Sequence, residues 1–138
     1  MSTTGPEAAT AAELVEALAQ RFSAGDRDGA LDLLHPDFRI QQPSSLPHGG
    51  WHEGREGMLR MGATFGTYWD RLISDPRILA CGPSAVQVTT QTWTAKQTGR
   101  SATVDVVELF SVADGLISEI RVFQQDTHLL LETLRTEP

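Results

Sequence analysis

The sequence predicts an α+β fold: N-terminal helices packed on one face of a curved, mostly antiparallel sheet, with a short C-terminal helix. Three observations carry this. Apolar residues recur at helical spacing near the N-terminus and again from about 55 to 72. From Arg77 to Gln125 they alternate with period two instead, as strand residues do. The two regimes are largely segregated along the chain, which separates an α+β protein from one built of βαβ units.

Each element has a local cause. Thr10 followed by Glu13 is a capping box, and Leu14, Val15, Leu18 and Phe22 recur behind it at helical spacing. Ala24-Gly25-Asp26 ends that helix. A short second helix follows Asp28, turns Ala30, Leu31, Leu33 and Leu34 inward, and stops near Pro36. Phe38 to Gln42 reads as a short strand broken by Pro43, and the Pro- and Gly-rich loop from Pro43 to Gly54 carries His48, Trp51 and His52. A third helix runs from about Arg55 to Leu72, with Met58, Leu59, Met61, Phe65, Tyr68 and Trp69 around its apolar stripe. Asp75-Pro76 resets the chain. Ile78 to Cys81 then turns through Gly82-Pro83-Ser84 into Ala85 to Gln97, and a two-residue Thr98-Gly99 loop leads into Ser101 to Val112. Asp126 caps a last helix through Leu134. Residues 1–9 read as a disordered leader and 10–138 as a single domain.

Glu108 is the residue that this pattern makes conspicuous. It shares a strand face with Val104, Val106, Phe110 and Val112. The turn after it decides what it meets. A three-residue Ala113-Asp114-Gly115 loop with a G1 bulge sets Glu108 opposite Ile120 and Val106 opposite Val122, and this register is preferred. A two-residue Asp114-Gly115 loop slides the pairing by one and sets Glu108 opposite Arg121, as an ordinary ion pair. Across the other hairpin, the Thr98-Gly99 loop sets Trp93 opposite Val104, Gln91 opposite Val106 and Thr89 opposite Glu108.

Composition narrows the function classes. A net charge of -7 without a basic run argues against nucleic acid and anionic membranes. The single Cys81 allows no intrachain disulfide and fits a reducing, cytoplasmic compartment. No apolar stretch is long enough to span a bilayer. His48, His52 and Glu53 lack the tight spacing of a metal motif, so neither a metal nor a cofactor is expected.

The strings RFSAGDRDGALDLLHPDF, PSSLPHGGWHEGREGML and VVELFSVADGLISEIRVFQQDT resemble SnoaL-like proteins of the nuclear transport factor 2-like superfamily. That group includes polyketide cyclases, ketosteroid isomerases and limonene epoxide hydrolases. The resemblance covers about Thr10 to Leu134. It implies a cone with a pocket between the helices and the concave sheet face, in a homodimer that pairs through the sheets. Glu108 falls where ketosteroid isomerases keep an acid held neutral by an apolar site. The isomerase base falls near Gln42, which takes no proton. The epoxide hydrolase trio falls on Gln91, Thr89 and Val122, and the cyclase Asp near Val122. The chain thus resembles the family while departing from each of its familiar catalytic sets.

Glu108 and His48 are the candidate catalytic residues, as a carboxyl raised toward neutrality by burial and an imidazole partner from the loop. The bland alternatives are a structural carboxylate paired with Arg121, Arg39 or Arg71, and an exposed loop histidine. Gln91, Gln41 and Gln124 are candidate polar anchors, or satisfy one another and water. Trp93, Trp69, Tyr68, Phe65, Met61, Val106 and Val122 are candidate apolar wall, or plain core. The expected protein is a cofactor-free cyclase or isomerase. Its expected substrate is a hydrophobic, oxygenated, polyketide-like molecule, turned over by general acid–base catalysis. The alternative is a non-catalytic carrier of a similar molecule.

Overall fold

Thr10 Oγ1 accepts the Glu13 amide at 3.2 Å while Glu13 Oε1 accepts the Thr10 amide at 2.8 Å, and the box they close starts α1 (Ala11–Ser23). This computed structural model describes residues 9–136, so the expected leader, apart from Ala9, lies outside the described residues. Leu14, Val15 and Leu18 of α1 are buried, but Phe22 is exposed because the helix ends one residue later and has left the sheet. The next helix, α2 (Arg27–Leu31), is capped by Asp26, not Asp28, and Leu34 already belongs to the strand that follows.

Six strands form one sheet in the order β2-β1-β6-β5-β4-β3. They are β1 (Leu34–Gln42), β2 (Gly50–Glu53), β3 (Trp69–Cys81), β4 (Ser84–Ala95), β5 (Ser101–Ala113) and β6 (Leu116–Gln124). All neighbours are antiparallel except β1 and β6. The remaining helices are α3 (Gly54–Tyr68), between β2 and β3, and α4 (Thr127–Glu132), capped by Asp126 as expected. α1 lies across β3 to β6, and α3 lies against β1 and β2. Among the described residues no helix is long and apolar enough to cross a membrane.

The third helix is shorter than expected and the strand after it longer. Trp69 starts β3, and Asp75-Pro76 does not reset the chain but makes an irregularity inside that strand, where pairing shifts between Ser74 and Arg77. Asp75 takes a φ of 50° there. β3 is an edge strand, the one place where a proline without an amide hydrogen is tolerated in a sheet. The residues 69–72 satisfy both a helical stripe and a strand alternation, and pairing with β4 settles the matter: Trp69 opposes Ala95 and Arg71 opposes Trp93.

Both hairpin loops differ from expectation. Between β4 and β5 the Ala95 amide donates to the Arg100 carbonyl at 2.8 Å, closing a loop over Lys96 to Gly99. Pairing therefore moves by two residues: Gln91 opposes Val104, and Gln87, not Thr89, opposes Glu108. A shift of two keeps every side chain on its face. Between β5 and β6 the turn is the two-residue Asp114-Gly115 form, with φ of 54° and 74° as a type I′ turn needs.

That turn alone would bring Arg121 opposite Glu108. It does not, because the register shifts between Val112↔Ile117 and Ser111↔Glu119, leaving Ser118 as an extra residue in β6. Ile117 and Ile120, three apart, are consequently both buried on the inner face. Glu108 ends opposite Val122, and Phe110 opposite Ile120. The neighbours expected for Glu108 are thus largely present, by a different turn plus a bulge.

The helix-covered face of the sheet holds Phe38, Ile40, Trp69, Trp93, Val104, Val106, Phe110 and Ile120. Trp69 Nε1 donates to Thr133 Oγ1 at 2.8 Å, tying the end of the chain to this core. The opposite face carries Leu72, Leu79, Val107 and Phe123, all exposed.

Candidate functional site

The inner face is apolar at its rim of helices and polar along its middle. On β4 the inward residues from Ala85 to Ala95 are all buried, and four of the six are Gln87, Thr89, Gln91 and Trp93. Trp93 Nε1 donates to Gln91 Oε1 at 2.9 Å and Gln91 Nε2 donates to Thr89 Oγ1 at 2.9 Å. Both ends of the Gln91 amide are therefore taken by the sheet, the second of the two readings its position allowed.

Glu108 lies beside this row, flanked by Gln87 on β4 and Val122 on β6. No hydrogen bond to its carboxyl is present among the described residues. Its pKa is raised, first by burial, and the Arg71 guanidinium holds it down in part. Arg71 comes from the inward series Trp69, Arg71, Ile73 on β3 and rests its guanidinium 5.0 Å from the centre of the Phe65 ring. Burial lowers the Arg71 pKa and Glu108 raises it again, so the two feel each other without making a contact ion pair. Of the arginines considered as partners, Arg121 bonds Gln41 and Arg39 bonds Glu119 at 2.7 Å, leaving Arg71.

His48 is brought inside by its loop. Leu46 and Gly49 amides close tight turns on Pro43 and Leu46 carbonyls, and a Cβ on Gly49 would stand 2.3 Å from the Pro43 carbonyl oxygen. His52 adds a 2.8 Å bond from its Nε2 to the His48 carbonyl. The His48 ring is 3 % exposed and sits in an aromatic box, 5.3 Å from Phe65, 6.0 Å from Trp69 and 5.8 Å from Trp93. Its Nδ1 is buried without a partner. Burial, then the positive charge of Arg71, then His52, push its pKa down to about 4, so the imidazole is neutral near pH 7.

The structure does not make His48 the direct partner of Glu108. Among the described residues neither a hydrogen bond nor an ion pair joins them, and the His48 Nδ1 has no partner. Arg71 is the charged group that both residues feel. Arg71 is one of the three arginines the sequence offers as partners of Glu108, but the overlong third helix left it off any strand face, so nothing singled it out. Gln87 was missed through the two-residue error in the β4–β5 register.

Gln41 is a correction. It pairs with Arg121 on the outer face, accepting from its Nε at 3.0 Å, so it cannot anchor a ligand in the cone. Gln42 points inward instead, donating to Met61 Sδ at 3.4 Å, while its Oε1 is buried without a partner. Gln124 also lies inward, beside Val106, and its Oε1 is likewise buried and unpaired. Met61 and Phe65 are half-buried against the core, Val106 and Val122 are buried, and Tyr68 is exposed at the outer edge of the box, 5.8 Å from Trp69. Two surface clefts, of about 490 and 200 Å³, lie against Asp32, His35 and Arg55 and against Arg100, Thr103 and Glu132; neither touches Glu108. Among the described residues no group of three or more His, Cys, Asp or Glu is placed to hold a metal ion.

Residues 15–120 match the family model described as a SnoaL-like domain. Among solved structures, a nuclear transport factor 2-like protein from Burkholderia thailandensis is 19% identical, with 92% of this chain and 98% of that one covered and a TM-score of 0.85. A candidate polyketide cyclase from Pseudomonas putida is 18% identical over 92% and 99% of the two chains, with a TM-score of 0.75. Both likenesses show the fold. TerC, co-crystallised with polyporic acid, is 25% identical over 88% and 95%, with a TM-score of 0.78. No curated protein matches the chain.

The buried His48 sets a pH dependence. Unfolded, it takes a proton near 6.5; folded, only near 4, so below 6.5 the unfolded state binds more protons and stability drops as the pH is lowered. The loss between pH 6.5 and 4 is about 3 kcal/mol. Glu108 acts in the opposite sense, since its raised pKa makes stability decline as pH climbs from the ordinary carboxylate range toward the folded value. Urea unfolding across pH 4 to 7 should show an acid-side decline that His48→Phe reduces; an identical decline in the variant would contradict the assignment.

Proposed function

Because the chain belongs to the SnoaL-like domain family, we propose that it is a cyclase or isomerase that uses Glu108 as its acid–base group on a hydrophobic, oxygenated small molecule. The observation that carries this is the Glu108 carboxyl on the covered face of the sheet, raised in pKa and without a hydrogen-bond partner. A carboxyl whose pKa approaches the working pH can take a proton from an activated carbon and return it to a developing enolate or alkoxide. Arg71 lies where it would stabilise the negative oxygen formed in that step, and low local polarity would strengthen its effect. Neutral His48 would serve as a hydrogen-bonding group, not as a cationic acid. The aromatic box of Phe65, Trp69 and Trp93 would hold the apolar body of the substrate. Proton transfer of this kind needs no redox cofactor. TerC, co-crystallised with polyporic acid, supports a small organic molecule as the class.

A non-catalytic carrier is favoured by Gln42 at the isomerase base position, and a module whose interior is filled by its own side chains is favoured by the absence of Glu108 from both clefts. Against a filled module stand the unpaired buried atoms of Gln42, His48 and Gln124, since close packing for its own sake leaves few such groups. Glu108→Gln distinguishes enzyme from carrier. With a turned-over substrate, kcat should fall roughly 10²- to 10⁴-fold while ligand affinity changes little. Unchanged turnover, or a variant defective only in binding, would contradict the catalytic role.

We place a second copy of the chain on the outer face, where Leu72, Leu79, Val107 and Phe123 are exposed, and the protein in a reducing compartment suited to its free Cys81. Sedimentation should give a dimer for the wild type and a monomer for Phe123→Glu; a monomeric wild type would refute the pairing.

A further inference from the structure

Trp69 belongs to two structures at once. Its ring is a wall of the aromatic box, 6.0 Å from His48, 5.7 Å from Phe65 and 5.0 Å from Trp93. Its one polar atom, Nε1, donates to Thr133 Oγ1 at 2.8 Å, just past the end of α4. The neighbouring indole is held differently, since Trp93 Nε1 donates to Gln91 Oε1 within β4 itself. One tryptophan of the box is therefore sealed by the sheet, and the other by the segment that carries α4.

That segment is fastened at two points. At its start Gln125 is pinned to β5, its amide donating to the Asp105 carbonyl and its Oε1 accepting the Asp105 amide, each at 2.9 Å. Beyond Gln125, among the described residues, no backbone-to-backbone hydrogen bond joins the chain to the sheet. Three side chains do so instead, and all of them end on Glu132 or Thr133. Trp69 takes the Thr133 hydroxyl, Thr98 Oγ1 donates to the Thr133 carbonyl, and Arg100 Nη2 donates to the Glu132 carbonyl at 2.9 Å. Thr98 and Arg100 come from the end of the β4–β5 hairpin and satisfy carbonyls that a helix end leaves free. Apolar anchorage is slight. Within α4 only Leu130 is buried, Leu129 is exposed, and a cleft of about 200 Å³ is lined by Leu129 and Glu132 of α4 together with Ser101 and Thr103 of β5.

A segment with a pinned start, one clasp and little buried surface opens more readily than strands paired on both sides. Residues up to Gln125 stay bonded to β5, so opening pivots at Gln125-Asp126 and lifts Thr133 off the Trp69 indole. We infer that α4 is a flap over the aromatic box, latched by Thr98 and Arg100. This rests on the reading of the inner face as a small-molecule site and adds how that site is closed. At this end the box is shut by a latch and not by strand pairing, so access to it is set by release of the latch.

Deuterium exchange of the two buried indole hydrogens, followed by NMR without any ligand, tests the flap. In the wild type the Trp69 Nε1–H should exchange about 100-fold faster than the Trp93 Nε1–H. In Thr98→Ala/Arg100→Ala the Trp69 rate should rise roughly ten-fold further, while Trp93 and the central β5 amides keep theirs and so report a folded variant. Diethyl pyrocarbonate, which modifies neutral imidazole, should then label His48 about ten-fold faster than in the wild type, with the exposed His128 as reference. Equal exchange of the two indoles in the wild type would overturn the flap. A Trp69 rate that ignores the loss of both latch residues would overturn it too, as would a His48 no easier to label in the folded variant. Should the double variant not fold, the wild-type indole ratio alone decides. None of these readouts involves Glu108, so a failed flap leaves the acid–base reading to be decided by Glu108→Gln.

Discussion

One extra residue in β6 determines the electrostatics of the interior. The Asp114-Gly115 turn by itself would face Glu108 with Arg121, and the carboxylate would be an ordinary member of a cross-strand ion pair. The bulge at Ser118 rotates the rest of β6 by one position, sending Arg121 outward to Gln41 and bringing Ile120 and Val122 inward. Glu108 is left with an apolar neighbour on one side and Gln87 on the other. The cation that acts on it among the described residues, Arg71, comes from two strands away and lies over the Phe65 ring. A carboxyl so placed is biased toward its neutral form by burial, with Arg71 pulling the other way, and a shift in that direction suits acid–base chemistry.

The rest of the interior follows the same logic of partial satisfaction. Where polar groups of β4 can reach each other, they do, as in the run from Trp93 through Gln91 to Thr89. Where they cannot, at Gln42, Gln124 and His48, single buried atoms stand without partners. Each such atom opposes folding by about 1–3 kcal/mol. A core selected for stability alone would carry leucine or methionine there, of similar volume and with no orphaned atom. Below about pH 6.5 the aromatic box around His48 adds a further cost, because it denies the imidazole its proton. Unfavourable choices concentrated on one face, next to a destabilised carboxyl, mark that face as the functional one.

Much of the fold was legible because its signals are local. The Thr10/Glu13 box and the Asp126 cap each depend on residues within a single turn of chain, and both form. Period-two alternation assigned faces correctly in β4, in β5 and in β6 beyond the bulge even where the register was off by two, since such an error leaves side chains on their own side, but it misplaced Leu116 and Ile117 before the bulge. What stayed hidden depends on pairing across strands. The stripe at Phe65, Tyr68 and Trp69 fits a helix as well as it fits a helix followed by a strand, and only the β4 partner ends the helix at Tyr68. That ambiguity left Arg71 as one of three candidate partners of Glu108, with no strand face to single it out. Gln41 and Gln42, adjacent polar residues at a strand end, cannot be told apart by pattern; their faces are set by pairing with β6. The bulge at Ser118 has a trace in the sequence, Ile117 and Ile120 at a spacing no regular strand can bury together, and it becomes readable once the turn type is known.

Site-specific titration of the Glu108 side-chain carboxyl by ¹³C NMR, in the wild type and in Arg71→Met, addresses the central claim directly. The expected result is ionisation above the ordinary carboxylate range in the wild type and higher still once the guanidinium is gone. Ionisation in the ordinary range, unmoved by the loss of Arg71, would mean that the carboxyl is hydrated and that the inner face is not a site for proton transfer.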